Sequence, residues 1–403
     1  MLRYIPIPLL FSVFILSIFE PLNGQSANTN SQSDRQLVSL IGTIGGDDTS
    51  VPSEFILARP VIPVIKKNGD ILIPDECKIK IFDASLKPKK IIGGLGQGPG
   101  EFEFNPTLRL SSRGFLTANE NAMSTNYSLF DDNYKFMFEK KFQANQYLNS
   151  FLRNKGIEGI RLSPSVYMLN DHSMINSLSF NFRERQYDFI TYEDENTFVP
   201  VLFFEREGQL SYENRTITAA FTTSKRFKIL SDSIVVFIKN NSDDIKYNSK
   251  TEGTYTLHTY NFIDNYDKTN TYTFKPIHYT EERIKEYAKL YTRRKADKKL
   301  EDLIEKAFEK QKYHWPIRNI YTDQNYIFVF LESGALPLKL NVIDSITSEV
   351  VYNGESPFEI DNFALADIKN GNAYLMGRNN DGFMQYRVYK INPTVYGLPK
   401  DLE

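Results

Sequence analysis

Between Val61 and Ile92 the chain reads as four short apolar runs, each closed by turn residues. Val61 to Ile65 meets Lys67-Asn68-Gly69-Asp70, whose central Asn-Gly suits a tight hairpin turn with positive φ. Ile71-Leu72-Ile73 runs into Pro74-Asp75-Glu76. Lys78-Ile79-Lys80-Ile81-Phe82-Asp83 alternates polar and apolar residues as a half-buried strand does, and Lys89 to Ile92 stops at Gly93-Gly94. Four short strands joined by short turns make an antiparallel meander. One such sheet has two open edges and cannot stand alone. The rest of the chain must therefore supply partners for it.

The same pattern recurs from Thr107 to Phe142, Val166 to Phe204, Thr216 to Phe274, Ile317 to Tyr352 and Phe363 to Ile391. With the first unit this makes six, which suits a radial array of four-stranded antiparallel blades, a six-bladed β-propeller of the all-β class. A sandwich needs fewer strands and a solenoid a tighter period. Ile44-Gly45-Gly46 echoes Ile92-Gly93-Gly94 at the end of the first unit, so residues 37–44 read as an outermost strand lacking its own blade. Donated to the sixth blade, that strand would close the ring and remove its two free edges. Thr280 to Gln311 breaks the pattern. Ile284, Tyr287 and Tyr291, then Leu300, Leu303, Ile304, Ala307 and Phe308, fall at helical spacing, with a break near Arg293 to Asp297. This predicts a helical insertion at about 280–312, between blades four and five.

Composition limits function more than fold. Of 403 residues, 30 are Phe and 24 are Tyr beside a single Trp, material suited to filling the interfaces between blades. Lys and Arg number 48 against 50 Asp and Glu, which leaves no bulk electrostatic footprint for nucleic acid or an anionic membrane. Arg3, the apolar run Ile5 to Phe19 and the polar exit at Asn23-Gly24-Gln25-Ser26 read as a secretory signal over 1–24, too short for a retained span. Residues 25–35 read as a flexible spacer, and 36–403 as a single propeller domain. The expected address is outside the cytoplasm: periplasmic, outer-surface or secreted. Cys77 is the only cysteine, so no intramolecular disulfide and no multi-cysteine zinc site can form.

Asn68-Gly69-Asp70-Ile71, Pro74-Asp75, Lys78 to Asp83, Ile91-Ile92-Gly93 and Gly96-Gln97-Gly98-Pro99-Gly100-Glu101-Phe102 together resemble NHL-type repeats. More narrowly, they are similar to the exported six-bladed β-propeller proteins of Bacteroidetes and related bacteria. The resemblance implies a binding or scaffolding module and supplies no catalytic residues. Ser356-Pro357-Phe358 is a partial copy of the glycine-rich loop in the fifth unit, while units two to four lack it.

That loop is no phosphate cradle, since it lacks a Lys-Ser/Thr ending and no helix follows it. Gly96, Gly98 and Gly100 are expected to permit positive φ in a crossover between blades, with Pro99 among them. Glu101 is expected to accept backbone N–H bonds, and Phe102 to wedge between sheets. His172, His258, His278 and His314 lie on different units with no ligand spacing, so no metal and no cofactor are expected. No Gly-x-Ser-x-Gly elbow is present. Lys289, Arg293, Arg294, Lys295, Lys298 and Lys299 crowd one short stretch of the insertion against a single acid, Asp297. Crossovers between blades share one face, and the turn carrying Asp75 and Glu76 opens to it. Asp75, Glu76, Arg293, Arg294, His314, Trp315 and Arg318 are therefore the candidate ligand-binding residues. The leading expectation is a non-enzymatic propeller that binds an envelope or extracellular protein, peptide or glycan on that face. The alternatives are an axial-site lyase or hydrolase and a structural component of an envelope complex.

Overall fold

Gly69 sits at φ +89°, and Lys66 N–H donates to the Asp70 carbonyl at 2.9 Å, so the Asn-Gly turn forms as its sequence requires. The computed structural model describes residues 37–403 apart from 47–50, 121–125, 161, 163, 171, 184, 209, 213–214, 218–223, 293–296, 335–336, 359–362 and 400–403. The signal and spacer expected over 1–35 lie outside the described residues. Blade one comprises Val64–Ile65, Ile71–Asp75, Lys78–Phe82 and Pro88–Gly93. Blade two is Thr107–Leu110, Leu116–Asn119, Asn126–Phe130 and Phe136–Lys141. Blade three is Ser165–Met168, Met174–Phe182, Arg185–Glu193 and Phe198–Glu205. Blade five is Ile317–Asp323, Tyr326–Leu331, Lys339–Asp344 and Val350–Glu355.

Blade six takes three strands from the C-terminal end, Phe363–Lys369, Asn372–Arg378 and Met384–Ile391. Its fourth is Val38–Gly45, antiparallel to the last of these from Val38 opposite Ile391 to Gly45 opposite Gln385. The ring thus closes as the Ile-Gly-Gly echo predicts. Gly45 at φ +84° and Gly93 at φ +76° end equivalent outermost strands. The chain is a six-bladed β-propeller.

Blade four departs from the expected unit. It starts at Arg226, not Thr216, with Arg226–Ile229, Ile234–Ile238, Gly253–Asn261 and Tyr266–Phe274, and Ile245–Tyr247 adds a fifth strand. Arg215–Ile217 instead pairs with Leu210–Tyr212 in a separate hairpin. Helix α1 (Gln146–Asn154), between blades two and three, was not anticipated. Its signals were local: Asn145 caps it by accepting from Leu148 N–H at 2.8 Å, and Leu148 and Leu152, four apart, are its buried residues.

Six apolar clusters fill the six interfaces between neighbouring blades. Phe82, Phe102, Phe189, Phe262, Phe328, Phe358, Tyr255 and Tyr386 are among the largest fully buried side chains. Each such ring contributes about 2–3 kcal/mol by leaving water, which accounts for the Phe and Tyr excess. Buried carboxylates add directional ties between blades. Asp70 accepts from Tyr134 of blade two, and Asp323 accepts Asn370 and Gly371 N–H of blade six at 2.8 Å each.

A further tie lies within blade four. His258 Nε2 meets Asp244 at 3.1 Å and Nδ1 meets Asp267 at 2.7 Å, while the ring stacks on Phe237. Burial alone would lower the His258 pKa, but the two carboxylates outweigh it and push it up to about 9. A folded pKa above the unfolded value near 6.5 means stability fully present below about pH 6.5 and lost as pH rises towards 9. The expected loss is about 2 kcal/mol, discounted because Asp267 is 35% exposed. An imidazole NMR titration of His258 should show a midpoint near 9; a midpoint near the ordinary histidine value would refute the assignment.

Candidate functional site

Within each blade the strands run antiparallel from the axis outwards. The crossover to the next blade and the turn between second and third strands therefore share one face. Besides α1, which follows blade two, two insertions stand on it and meet each other. The hairpin Leu210–Tyr212/Arg215–Ile217 follows blade three, and helices α2 (Glu281–Thr292) and α3 (Lys298–Lys310) follow blade four. Thr280 Oγ1 accepts from Arg283 N–H at 3.2 Å, and Asp297 caps α3 by accepting from Leu300 N–H at 3.2 Å. Ala288, Ile304 and Phe308 form the buried core of the helical pair, with Leu210 of the hairpin packed against it. Tyr212 donates to Asp297 at 2.6 Å, so the two insertions hold each other.

The ends of the helical insertion are zipped together. His278 and Tyr313 form an antiparallel bridge, and His314 N–H donates to the Ile277 carbonyl at 2.9 Å. Blade four supports this neck from below: Tyr247 stacks on Tyr313 at 4.6 Å and donates to the His314 carbonyl. Tyr279 stacks on the His314 ring at 3.7 Å and meets Phe308 edge-on.

The inner strands of blades four and five begin at this face with Arg226 and Ile317, and there the charges converge. Asp188 of blade three is fully buried and receives Lys225 Nζ at 2.8 Å, Lys225 N–H at 2.9 Å and Arg206 Nε at 2.9 Å. Burial opposes its ionisation, but Lys225 and Arg206 outweigh that and hold its carboxyl well below the usual carboxylate range. Arg318 ion-pairs with Glu332. Arg226 makes no ion pair among the described residues: its Nε is buried without a partner, and burial together with the nearby Arg318 lowers its pKa against the attraction of Asp188. Farther along the same inner strands, Lys228 pairs with Asp367 of blade six at 3.7 Å and lies over the Tyr321 ring. Arg206 also lines a cleft of about 770 Å³ with Tyr187 and Phe203 of blade three and Asp243 of blade four.

Of the residues singled out in the sequence, Arg318 stands at this mouth, with its side chain 41% exposed. Asp75 lies on the same face but is fully buried, accepting Ala58 N–H, Arg59 N–H and Lys80 Nζ within 3.0 Å. Glu76 is exposed beside it at 3.5 Å from Lys80. Trp315 packs on the core between blades four and five. His314 is mostly buried, and burial, helped by Arg318 and Arg283 against Glu332, pushes its pKa down to about 4, so it is neutral at pH 7. Arg293 and Arg294 lie outside the described residues. Arg226, Arg206, Lys225 and Asp188 were not anticipated, because nothing local tells a charged residue at the start of an axial strand from one on an outer edge.

In the glycine-rich loop the reason for the glycines is not uniform. Gly100 adopts φ +77°, whereas Gly96 and Gly98 are needed for space: a Cβ at either would meet the Glu101 carboxylate. That carboxylate accepts Gly98 N–H at 2.8 Å, and Phe102 is buried between blades one and two. Phe358, in the partial copy, fills the matching place between blades five and six. Among the described residues no group of three or more His, Cys, Asp or Glu is placed to hold a metal, and no helix is long and apolar enough to cross a membrane.

No protein-family model and no curated protein matches the chain. Solved structures match in architecture. A Bacteroides fragilis protein described as exported shares 11% identity over 91% of this chain and 97% of its own, with a TM-score of 0.47. The β-propeller domain of the Trilobed protease from Pyrococcus furiosus shares 11% over 83% and 85%, with a TM-score of 0.35. Pyrococcus horikoshii acylaminoacyl peptidase shares 9% over 82% of this chain and 45% of its own, with a TM-score of 0.37. At such identities no residue role passes from these proteins to this chain.

Proposed function

We propose that this chain is an exported, non-enzymatic binding propeller with NHL-like repeats, and that its crossover face over blades three to five engages an envelope or extracellular partner. The observation that carries this reading is the pairing of two insertions, the 210–217 hairpin and the α2–α3 pair, into one raised structure beside a charged axial mouth. Closing the ring requires neither insertion, since the six blade interfaces are filled without them. Extra structure grafted on one face of a rigid scaffold is where function concentrates. The export reading rests on the basic, apolar and polar succession of the first 24 residues.

The zipped neck makes a clean test possible. Replacing residues 280–311 by a short Gly-Ser link should leave circular dichroism and cooperative melting of the propeller in place while abolishing capture of its partner. In the intact protein, a photo-crosslinker at exposed Lys285 on α2 should trap one identified partner, and one at exposed Asn265 on the opposite face should not. Equal capture by the excised protein, or equal trapping from both faces, would refute the assignment.

A further inference from the structure

We propose that the axial mouth between blades three, four and five is a carboxylate-binding site, with Arg226 as the guanidinium that receives the ligand. This deepens, and rests on, the reading of the crossover face as a binding face. Four cations meet there, Arg206, Lys225, Arg226 and Arg318, against the two acids Asp188 and Glu332. The acids are committed. Asp188 is saturated by Lys225 and Arg206, while Glu332 accepts Gly334 N–H through Oε1 and faces Arg318 through Oε2, an ion pair without a formed hydrogen bond. Asp367 is engaged by Lys228. Among the described residues Arg226 is left with no ion pair, its Nε buried and unpartnered and Arg318 close enough to repel it.

A guanidinium whose Nε is withdrawn from water, with only the already engaged Asp188 nearby to offset its charge, is unfavourable unless something completes it, and its planar fork matches a carboxylate through two parallel N–H bonds. A singly charged carboxylate suits the mouth better than a phosphate dianion, whose second charge would face Asp188 and Glu332. Arg206, which shares Asp188 with Lys225, also lines a cleft with Tyr187, Phe203 and Asp243, and the remainder of such a ligand would lie there. The carboxylate could belong to a free organic acid, a peptide or an acidic sugar, and the shared chemistry is a single –COO⁻ group.

The test is calorimetric titration of the full chain with succinate, an acetylated Glu-Gly peptide and glucuronate, against phosphate and chloride at equal ionic strength. At least one carboxylate should bind, with R226M at least about tenfold weaker and R226K in between, because lysine keeps the charge and loses the fork. Which of the three binds identifies the source of the carboxylate. R226M should melt no lower than the natural protein, since it removes an unpaired buried charge; a variant that fails to fold would place Arg226 in the scaffold and overturn the proposal. Equal binding of phosphate or chloride, or carboxylate affinity unchanged in R226M and R226K, would also overturn it. Loss of partner capture on excising 280–311 with no carboxylate response in the intact chain would leave the binding face standing and remove only the Arg226 assignment.

Discussion

Deleting residues 38–45 is expected to abolish the stable monomer. That strand forms the outer edge of blade six, paired along its length with Met384–Ile391. Without it the strand 384–391 becomes an eight-residue open edge. Along that edge Tyr386, Val388, Tyr389 and Ile391 are now buried, and the deletion also removes buried Ile44 from the interface with blade one. Losing the burial of Ile44 alone costs about 2–3 kcal/mol. The exposed edge adds a template for pairing with other chains, so aggregation should accompany the loss of stability. Size-exclusion chromatography and thermal unfolding are the measurements, and a synthetic peptide spanning 37–46 should restore part of the melting temperature when added in trans. A deletion protein that stays monomeric with an unchanged melting temperature would show that the closure strand is dispensable.

Asp188→Ala should be the most damaging single substitution outside the apolar interfaces. The carboxylate sits between Lys225 Nζ at 2.8 Å and the Arg206 guanidinium at 2.9 Å, and also accepts from Ser179 at 2.6 Å and from Lys225 N–H at 2.9 Å. Lys225 and Arg206 flank the crossover into blade four, so the network ties the third blade to the fourth. Removing one member of a buried pair strands its partners, and such losses cost about 3–5 kcal/mol. Here two cations would be stranded beside Arg226, which is already unpaired. Chemical denaturation should show the loss at neutral pH, and the difference between Asp188→Ala and the natural protein should shrink in acid as the native carboxylate is protonated. Asp188→Asn, which keeps the shape without the charge, should recover only part of the loss. A loss below 1 kcal/mol for Asp188→Ala would mean that the two cations find other partners at little cost.

The parts of this architecture that could be read in the sequence are those written in local pattern. The Asn-Gly turn, the Lys78 to Asp83 alternation and the Ile-Gly-Gly echo gave the meander, the blade rhythm and the closure strand, because turn chemistry and period-two burial act over a few residues. The 280–312 insertion was legible for the same reason, through a change of period from two to near four. Blade four was misjudged at its start because residues 215–217 have strand character whether they pair within a blade or in a hairpin beside it. The candidate site was the least legible part. Trp315, a residue type favoured as a binding anchor, is partly buried against the core between blades four and five, and Arg226 looks ordinary in the sequence but carries a buried, unpartnered Nε at the axial mouth.

The sequence by itself determined that this chain forms six antiparallel sheets, that aromatic side chains fill the spaces between them, and that one helical pair interrupts the ring. Those outcomes follow from propensity, turn chemistry and the need to cover sheet edges, all of which are properties of neighbours along the chain. Only the tertiary structure decided which charges meet at the axis. Asp188, Arg206, Lys225, Arg226, Arg318 and Glu332 come from three blades, and their pairing depends on the radial packing of sheets far apart in sequence. An ion pair is set by distance and by exclusion from water, and neither quantity exists until the ring has closed.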